Sequence, residues 1–431
     1  MPIRVSADRV RAYGFSRQRL TSRPPLEAAQ GAAILSIVRA CGPIRARPAL
    51  STYLSLLART EHLSRDALDD ALYRDRTLVR IPAMHARLFV VPSDEFPSYY
   101  QASRPILQEG LAGYLDDLLA DAGGAAGLPL PGIAGLVPRI LEILSARGPS
   151  TVQELATLLP ALDAPLVRGN GNGASSRLGE RLIPAMCVQG LLVRAQTRGS
   201  WRSDLFSYAP TTSWLPGLRL DEIDPDEALR RVILAHVAAF GPVNIGDVYQ
   251  WLGGARRQQV AAALMRLGER LAHVQIVGSS RDYVMLREHV DAMMAYRPTA
   301  RAVALLPPKD SYVMAYGDTS RFLDEAYRER VFDRAGEAHG TVWLDGSIVG
   351  LWSHQLREER ISVRLFAALD PEALELLHGE ARRVCRFLEF ESSDVVVGLD
   401  DDMDDDQATI ALPSMAVDDG SIAVDGTTAP R

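Results

Sequence analysis

Three segments of the chain share one local pattern. RACGPIRARPALSTYLSLL begins at Arg39, SARGPSTVQELATLL begins at Ser145, and AAFGPVNIGDVYQWLG runs from Ala238 to Gly253. In each, an apolar helical run meets Gly-Pro, and a second short helix comes at once. Glycine supplies the left-handed residue that a helix end favours, and proline after it forbids continuation. The spacing therefore predicts helix, stop, helix three times over.

The residues after each stop complete a unit. After the first, LSTYLSLLAR and LSRDALDDALYRDR read as helices, and TLVRIPAMHARLFVVP, Thr77 to Pro92, changes to period-two patterning. The second continues through Ser175 to Pro210, a helix leading into two strands around TRGSWRSD. The third, Arg256 to Leu286, is again a helix and then a hairpin turning at Gly278 to Asp282. Three helices and a β-hairpin make a winged helix-turn-helix module.

Beyond Tyr296 the pattern changes. TARAVALLPPKDSYVMAYGDTSRFLD, Thr299 to Asp324, reads as strand-like, and VWLDGSIVGLW as a hairpin whose Asp345-Gly346 pair suits a type I′ turn. ERISVRLFAAL is a further strand. DPEALELLHGEARRVCRFLEF then shows an Asp370 cap, Pro371 at the first helical position, and a stripe of Leu374, Leu377, Ala381, Val384 and Leu388. The expected fold is α+β. Three tandem winged modules cover 1–125 (with a helical extension), 126–220 and 221–298; a β-rich unit closed by a helix covers 299–392, and a disordered acidic tail 393–431.

The net charge of −7 misleads unless it is divided. From Asp394 to Arg431 there are ten Asp, no Glu and one Arg, so the tail carries −9 and the remainder +2. Its LDDDMDDDQ run repels itself and cannot bury apolar surface. In the body Lys309 is the only lysine, and arginine, unlike lysine, forks onto phosphate oxygens and guanine edges. Cys41, Cys187 and Cys385 lie far apart in apolar helical contexts and read as core thiols. The eight histidines form no metal-ligand spacing, so no bound metal is expected. With no apolar leader at Met1 to Tyr13 and no unbroken membrane-length apolar run, a cytoplasmic location is expected; a monomer is the separate expectation for its assembly.

The wings point to double-stranded DNA as partner. RAQTRGSWRSD sets Arg194, Arg198 and Arg202 around Trp201 at a hairpin tip, where phosphate contact can use them. Arg177 and Arg181 open the helix before that wing. Arg256 and Arg257 open the third recognition helix, the end that meets a groove in this class of fold. Lys309 and Arg321 add cations in the C-terminal unit.

RGSWRSDLFSYAPTTSWLP, LLPPKDSYVMAYGDTSRFLD, VWLDGSIVGLW and EARRVCRFL together resemble the winged-helix DNA glycosylases of the AlkZ/YcaQ type, over about Val10 to Phe390. The resemblance implies three winged helices and a β-unit around a DNA-sized channel. It implies hydrolysis of the N-glycosidic bond of alkylated or crosslinked bases without metal or cofactor. It also implies a water-orienting Gln-apolar-Gln or Gln-apolar-Asp triplet just after the first Cys-Gly, and that place here is Arg45-Ala46-Arg47. Guanidinium has five donors and no acceptor, so it cannot hold a water nucleophile by its hydrogen, and Arg45 and Arg47 are expected to bind the adjacent DNA phosphates instead.

Asp310 in PPKDSY and Asp318 in YGDTS are the candidate replacement acceptors, able to stabilise an oxocarbenium-like sugar. A turn-capping role for Asp310 is the competing reading. Lys309 raises the idea of a Schiff-base nucleophile, against which the resemblance speaks. RGNGNGASS, Arg168 to Ser176, resembles a phosphate cradle in composition alone, lacks the G-K-[ST] ending, and reads as linker. Two functions stand: a repair glycosylase variant, and a non-catalytic winged-helix DNA-binding protein.

Overall fold

The computed structural model describes residues 2–23, 30–125, 130–166, 176–391 and 394–399. The first module comprises helices Gln30–Cys41, Ala49–Ala58 and Arg65–Asp69, and the hairpin Leu78–Pro82/Leu88–Pro92; the 30-residue helix Phe96–Ala125 extends it. The second comprises Leu130–Arg147, Val152–Leu158, Leu178–Val188 and strands Leu192–Thr197 and Phe206–Pro210. The third comprises Pro225–Phe240, Ile245–Leu252, Arg257–Leu267 and the hairpin Leu271–Ile276/Tyr283–Leu286.

Capping boxes start the second helix of two modules. The Thr151 hydroxyl accepts from the Glu154 amide at 3.1 Å while the Thr151 amide donates to the Glu154 carboxylate at 2.6 Å. Asn244 and Asp247 repeat the exchange, both at 3.0 Å. Gly42 and Gly148 end their helices at φ +86°, as the Gly-Pro pattern predicts. Gly241 differs. Its φ is −59°, and a Cβ there would lie 2.6 Å from the Val237 carbonyl oxygen, so close approach, not handedness, demands glycine.

The wings are not free tips. Strands of the first and second wings join in one five-stranded sheet, ordered Ile44–Arg45, Leu88–Pro92, Leu78–Pro82, Leu192–Thr197, Phe206–Pro210. Arg80 opposite Arg194 makes the junction. The third wing gains a parallel strand from the chain start, Ile3–Val5, with Ile3 opposite Val274.

The C-terminal unit is a five-stranded sheet in the order Val303–Leu306, Thr341–Leu344, Ser347–Gln355, Arg360–Leu365, Asp394–Leu399. Asp345 and Gly346 have φ of +51° and +88°, the pair of positive angles that a type I′ turn requires. Asp370 caps helix Pro371–Phe387 by accepting from the Ala373 amide at 3.0 Å. Two expectations change. Of Thr299 to Asp324, only Val303–Leu306 is strand; the rest is short turns that carry side chains toward the other modules. The acidic segment begins in order, because Asp394–Leu399 pairs in parallel with Arg360–Leu365 through its Val395, Val396 and Val397 run. The LDDDMDDDQ run beyond Leu399 and residues 168–175 of the glycine-rich loop lie outside the described residues.

Trp343 is fully buried, stacked 5.8 Å from Phe15 and packed 5.1 Å from both Tyr312 and Phe322, which locks the chain start onto the C-terminal sheet. All three cysteines are buried thiols. Among the described residues no helix is long and apolar enough to cross a membrane, and no three His, Cys, Asp or Glu gather as a metal site.

Candidate active site and nucleic-acid interface

Two charged clusters join the first module to the C-terminal unit, and adjacent residues feed them. Asp310 points inward. Its carboxylate accepts from Arg59 at 2.8 and 2.9 Å, from the Ser55 hydroxyl at 2.5 Å and from the Tyr312 amide at 2.9 Å. Both side chains of the Arg59–Asp310 pair are 0 % exposed. Burial alone would raise the Asp310 carboxyl, but Arg59, Ser55 and the Tyr312 amide hold it below the ordinary carboxylate range. A group so enclosed cannot meet a nucleotide, so the expected catalytic role of Asp310 gives way to a structural one.

Lys309 points outward from a backbone at φ +62° and pairs with Glu337. The same Glu337 carboxylate accepts from Arg45 at 2.9 Å and lies 3.7 Å from Arg87. Side-chain exposure rises from 10 % at Arg45 through 12 % at Glu337 and 21 % at Lys309 to 32 % at Arg87, describing a mouth that opens from a buried floor. Burial, which alone would raise the Glu337 carboxyl, is outweighed by Lys309, Arg45 and Arg87, which keep it ionised.

The floor is well fixed. Ile44–Arg45 pairs with Phe89 and Val90, the Arg45 amide donates to Ser311 Oγ at 3.1 Å, and that hydroxyl donates to the Pro43 carbonyl at 2.6 Å. At the rim the hairpin tip turns through His85 and Ala86 at φ +54° and +53°, and the His85 ring lies 2.6 Å from the Gln250 carbonyl of the third module. Glu337 sits on a turn whose Asp333 carboxylate accepts its amide at 2.9 Å. Left-handed backbone at three non-glycine residues here, His85, Ala86 and Lys309, costs on the order of 1 kcal/mol each.

The remaining predicted residues divide by burial. Arg181 and Arg194 are buried, and the Arg321 side chain is only 9 % exposed. Arg181 lies 4.7 Å over Tyr114, Arg194 sits at the wing junction, and Arg321 stacks 4.2 Å over Tyr316 and donates to the Pro242 carbonyl at 2.7 Å. Packing and hydrogen bonding thus replace the DNA contacts expected of them. Trp201 is no exposed tip, for it wedges between Tyr53 at 5.0 Å and Phe387 at 5.5 Å, with Arg202 over its ring and bonded to the Leu388 carbonyl. Asp318 pairs with Arg281 and accepts from the Ser320 amide and hydroxyl at 3.1 and 2.7 Å, a turn cap at the surface.

Arg177 and Arg198 stay at the surface beside Asp163 at 2.7 Å and Glu154 at 3.9 Å. Arg47 is half-buried next to the floor. Arg256 and Arg257, with Gln258 and Gln259, are exposed at the start of helix Arg257–Leu267.

A family model described as AlkZ-like DNA glycosylase matches residues 38–387. The chain belongs to that family. Its match to the interstrand DNA cross-link repair glycosylase of Streptomyces sahachiroi is 27 % identical over 166 residues, 38 % of this chain and 43 % of that protein. The solved structure of the Streptomyces sahachiroi DNA glycosylase AlkZ superposes with a TM-score of 0.68 at 20 % identity, covering 92 % of this chain and all of the other, a likeness of fold. In this chain Arg45 is a floor residue paired with Glu337 at 2.9 Å. His85, Arg87 and Glu337 escaped sequence reasoning. The one clue was the absence of Gly or Asn from the MHAR turn, which forces left-handed backbone onto His85 and Ala86.

Proposed function

We propose that this chain is a cytoplasmic, monomeric DNA glycosylase that binds damaged double-stranded DNA and hydrolyses the N-glycosidic bond of an alkylated or crosslinked base. The observation that carries the reading is the half-open Arg45–Glu337–Lys309–Arg87 cluster, assembled from two modules and rimmed by a third through His85. Sites where separate units converge on a few polar groups are where ligands are most often held. Arg45, Lys309 and Arg87 converge on one carboxylate at a solvent-reached mouth, and cations so placed suit the phosphates flanking an extruded nucleotide.

Helix Arg257–Leu267 presents Arg256, Arg257, Gln258 and Gln259 as the groove-facing end. Arg45 and Arg47, at the place where the resemblance implies a Gln triplet, favour one competitor, a protein that binds DNA without cutting it. Abasic-site formation on methylated and mustard-crosslinked duplexes separates the two. Release that scales with protein concentration supports the glycosylase; salt-sensitive binding with no abasic sites supports the competitor.

A further inference from the structure

We propose that Glu337 is the catalytic acceptor of this chain, the group that holds the attacking water and faces the positive charge developing on the sugar; the assignment rests on the glycosylase reading above. The Arg45-Ala46-Arg47 triplet offers no acceptor at the floor, because a guanidinium only donates. Glu337 supplies one from a different part of the chain, 2.9 Å from the Arg45 guanidinium. Among the carboxylates that bridge the first module and the C-terminal unit, Asp310 and Glu380 are engulfed, at 0 % and 5 % side-chain exposure, while Glu389, paired with Arg65, stands open to solvent at 57 %. Glu337, at 12 %, is reachable.

Its position is doubly determined. The Asp333 carboxylate holds its amide, and the Ala338 carbonyl next to it accepts from the Lys309 amide at 2.9 Å, so the two turns carrying Lys309 and Glu337 are tied by backbone. Arg45 and Lys309 engage opposite oxygens, Oε1 and Oε2, leaving lone pairs on each for a water.

The signs of charge agree. N-glycosidic cleavage passes through an oxocarbenium-like sugar, which a carboxylate stabilises and three cations oppose. Bound phosphates engage the cations, and Glu337 remains the anion nearest the floor. In the reaction the C1′–N bond pair leaves with the base, so a positively charged alkylpurine departs neutral. A water lone pair forms the C1′–O bond, and the proton that this oxygen sheds passes to the Glu337 carboxylate and then to solvent. Sugar hydroxyl, neutral base and one proton account for the water and the starting cation.

The test is single-turnover release from a methylated duplex and a mustard-crosslinked duplex by the full chain, with affinity measured on the same DNA. Glu337→Gln keeps the shape and removes the charge. Its release rate is expected to fall about 100-fold, within the usual span for a positioned acid–base group, with binding unchanged or tighter because an anion has left the cluster. A rate within about twofold of wild type overturns the assignment. Should the Gln variant melt early, Glu337→Asp keeps the charge but withdraws it by one methylene. Slowing of about tenfold supports the proposal, and an unchanged rate overturns it. Absence of release by the wild-type chain on both duplexes overturns the glycosylase reading together with this one, whereas wild-type release with an indifferent Glu337→Gln removes this one alone.

Discussion

Lys309 and Asp310 are neighbours in sequence and opposites in the fold. Asp310 closes a cluster that no solvent reaches, every oxygen engaged by Arg59, Ser55 or the Tyr312 amide. Lys309 helps to form one that is half open, with Arg45 and Arg87 beside it on the Glu337 carboxylate. Both clusters join an Arg of the first module to the C-terminal unit, so chemistry and topology are shared. Burial differs. A fully matched ion pair out of water is a fastener, and removing one partner leaves a stranded charge. A partly solvated cluster adds little to stability and can be reached by a ligand.

The comparison breaks most visibly at Asp310. Asp310→Ala is expected to cost about 3–5 kcal/mol because it strands the Arg59 guanidinium, read as a fall in the urea midpoint at unchanged slope. A loss under about 1 kcal/mol would show that the closed cluster is not a fastener.

His236 sharpens the same point from another side. It is wholly buried against Trp251, and among the described residues neither ring nitrogen has a partner. Burial and then Arg321 lower its pKa from 6.5 to about 3. The unfolded chain protonates this ring first as pH falls, so stability is intact above pH 6.5 and declines from there toward about pH 3. At about pH 5 the expected loss is about 2 kcal/mol. His236→Phe should flatten that slope, and an unchanged acid profile would contradict the account.

In the open cluster the effects move from stability to binding. Lys309→Met and Arg87→Met are each expected to shift stability by under about 1 kcal/mol. Each should lower the slope of log affinity against log salt by about 0.9, one phosphate contact apiece. Arg256→Ala with Arg257→Ala should lower it by about twice that, weakening all sequences alike. A salt slope unmoved by Lys309→Met and Arg87→Met would make the cluster a second fastener.

Much of this architecture is legible in the chain because its signals are local. Gly-Pro stops, the Asp345-Gly346 turn and the Asp370 cap each act within a few residues. The joined wing sheet is not legible, since one opposed pair, Arg80 and Arg194, leaves no periodic trace. The site is half legible. Arg45 and Lys309 stand out by type and place, but Glu337 lies in a polar turn that looks like any other, and nothing in the Lys309-Asp310 pair tells which of the two residues faces in. That is decided by the left-handed turn at Lys309. The buried arginines mislead for the same reason: strand alternation shows period, not what covers the outer face.

The smallest expected effect concerns the acidic end. Since Asp394–Leu399 is a strand of the sheet, removal should begin at Asp400, and a chain lacking 400–431 is expected to bind undamaged duplex about two- to fivefold more tightly at low salt, because Asp competes with phosphate for the same cations. Equal or weaker binding would leave the tail without that role.

The central claim is that DNA meets the open cluster and not the closed one. Amide hydrogen exchange of the full chain, with and without an alkylated duplex, tests it most directly. Added protection is predicted in the 84–89 hairpin tip and the 333–339 turn, with no change across 55–60 beside Arg59. Protection confined to the 256–267 helix, with the 84–89 and 333–339 segments exchanging as in the unbound protein, would contradict it.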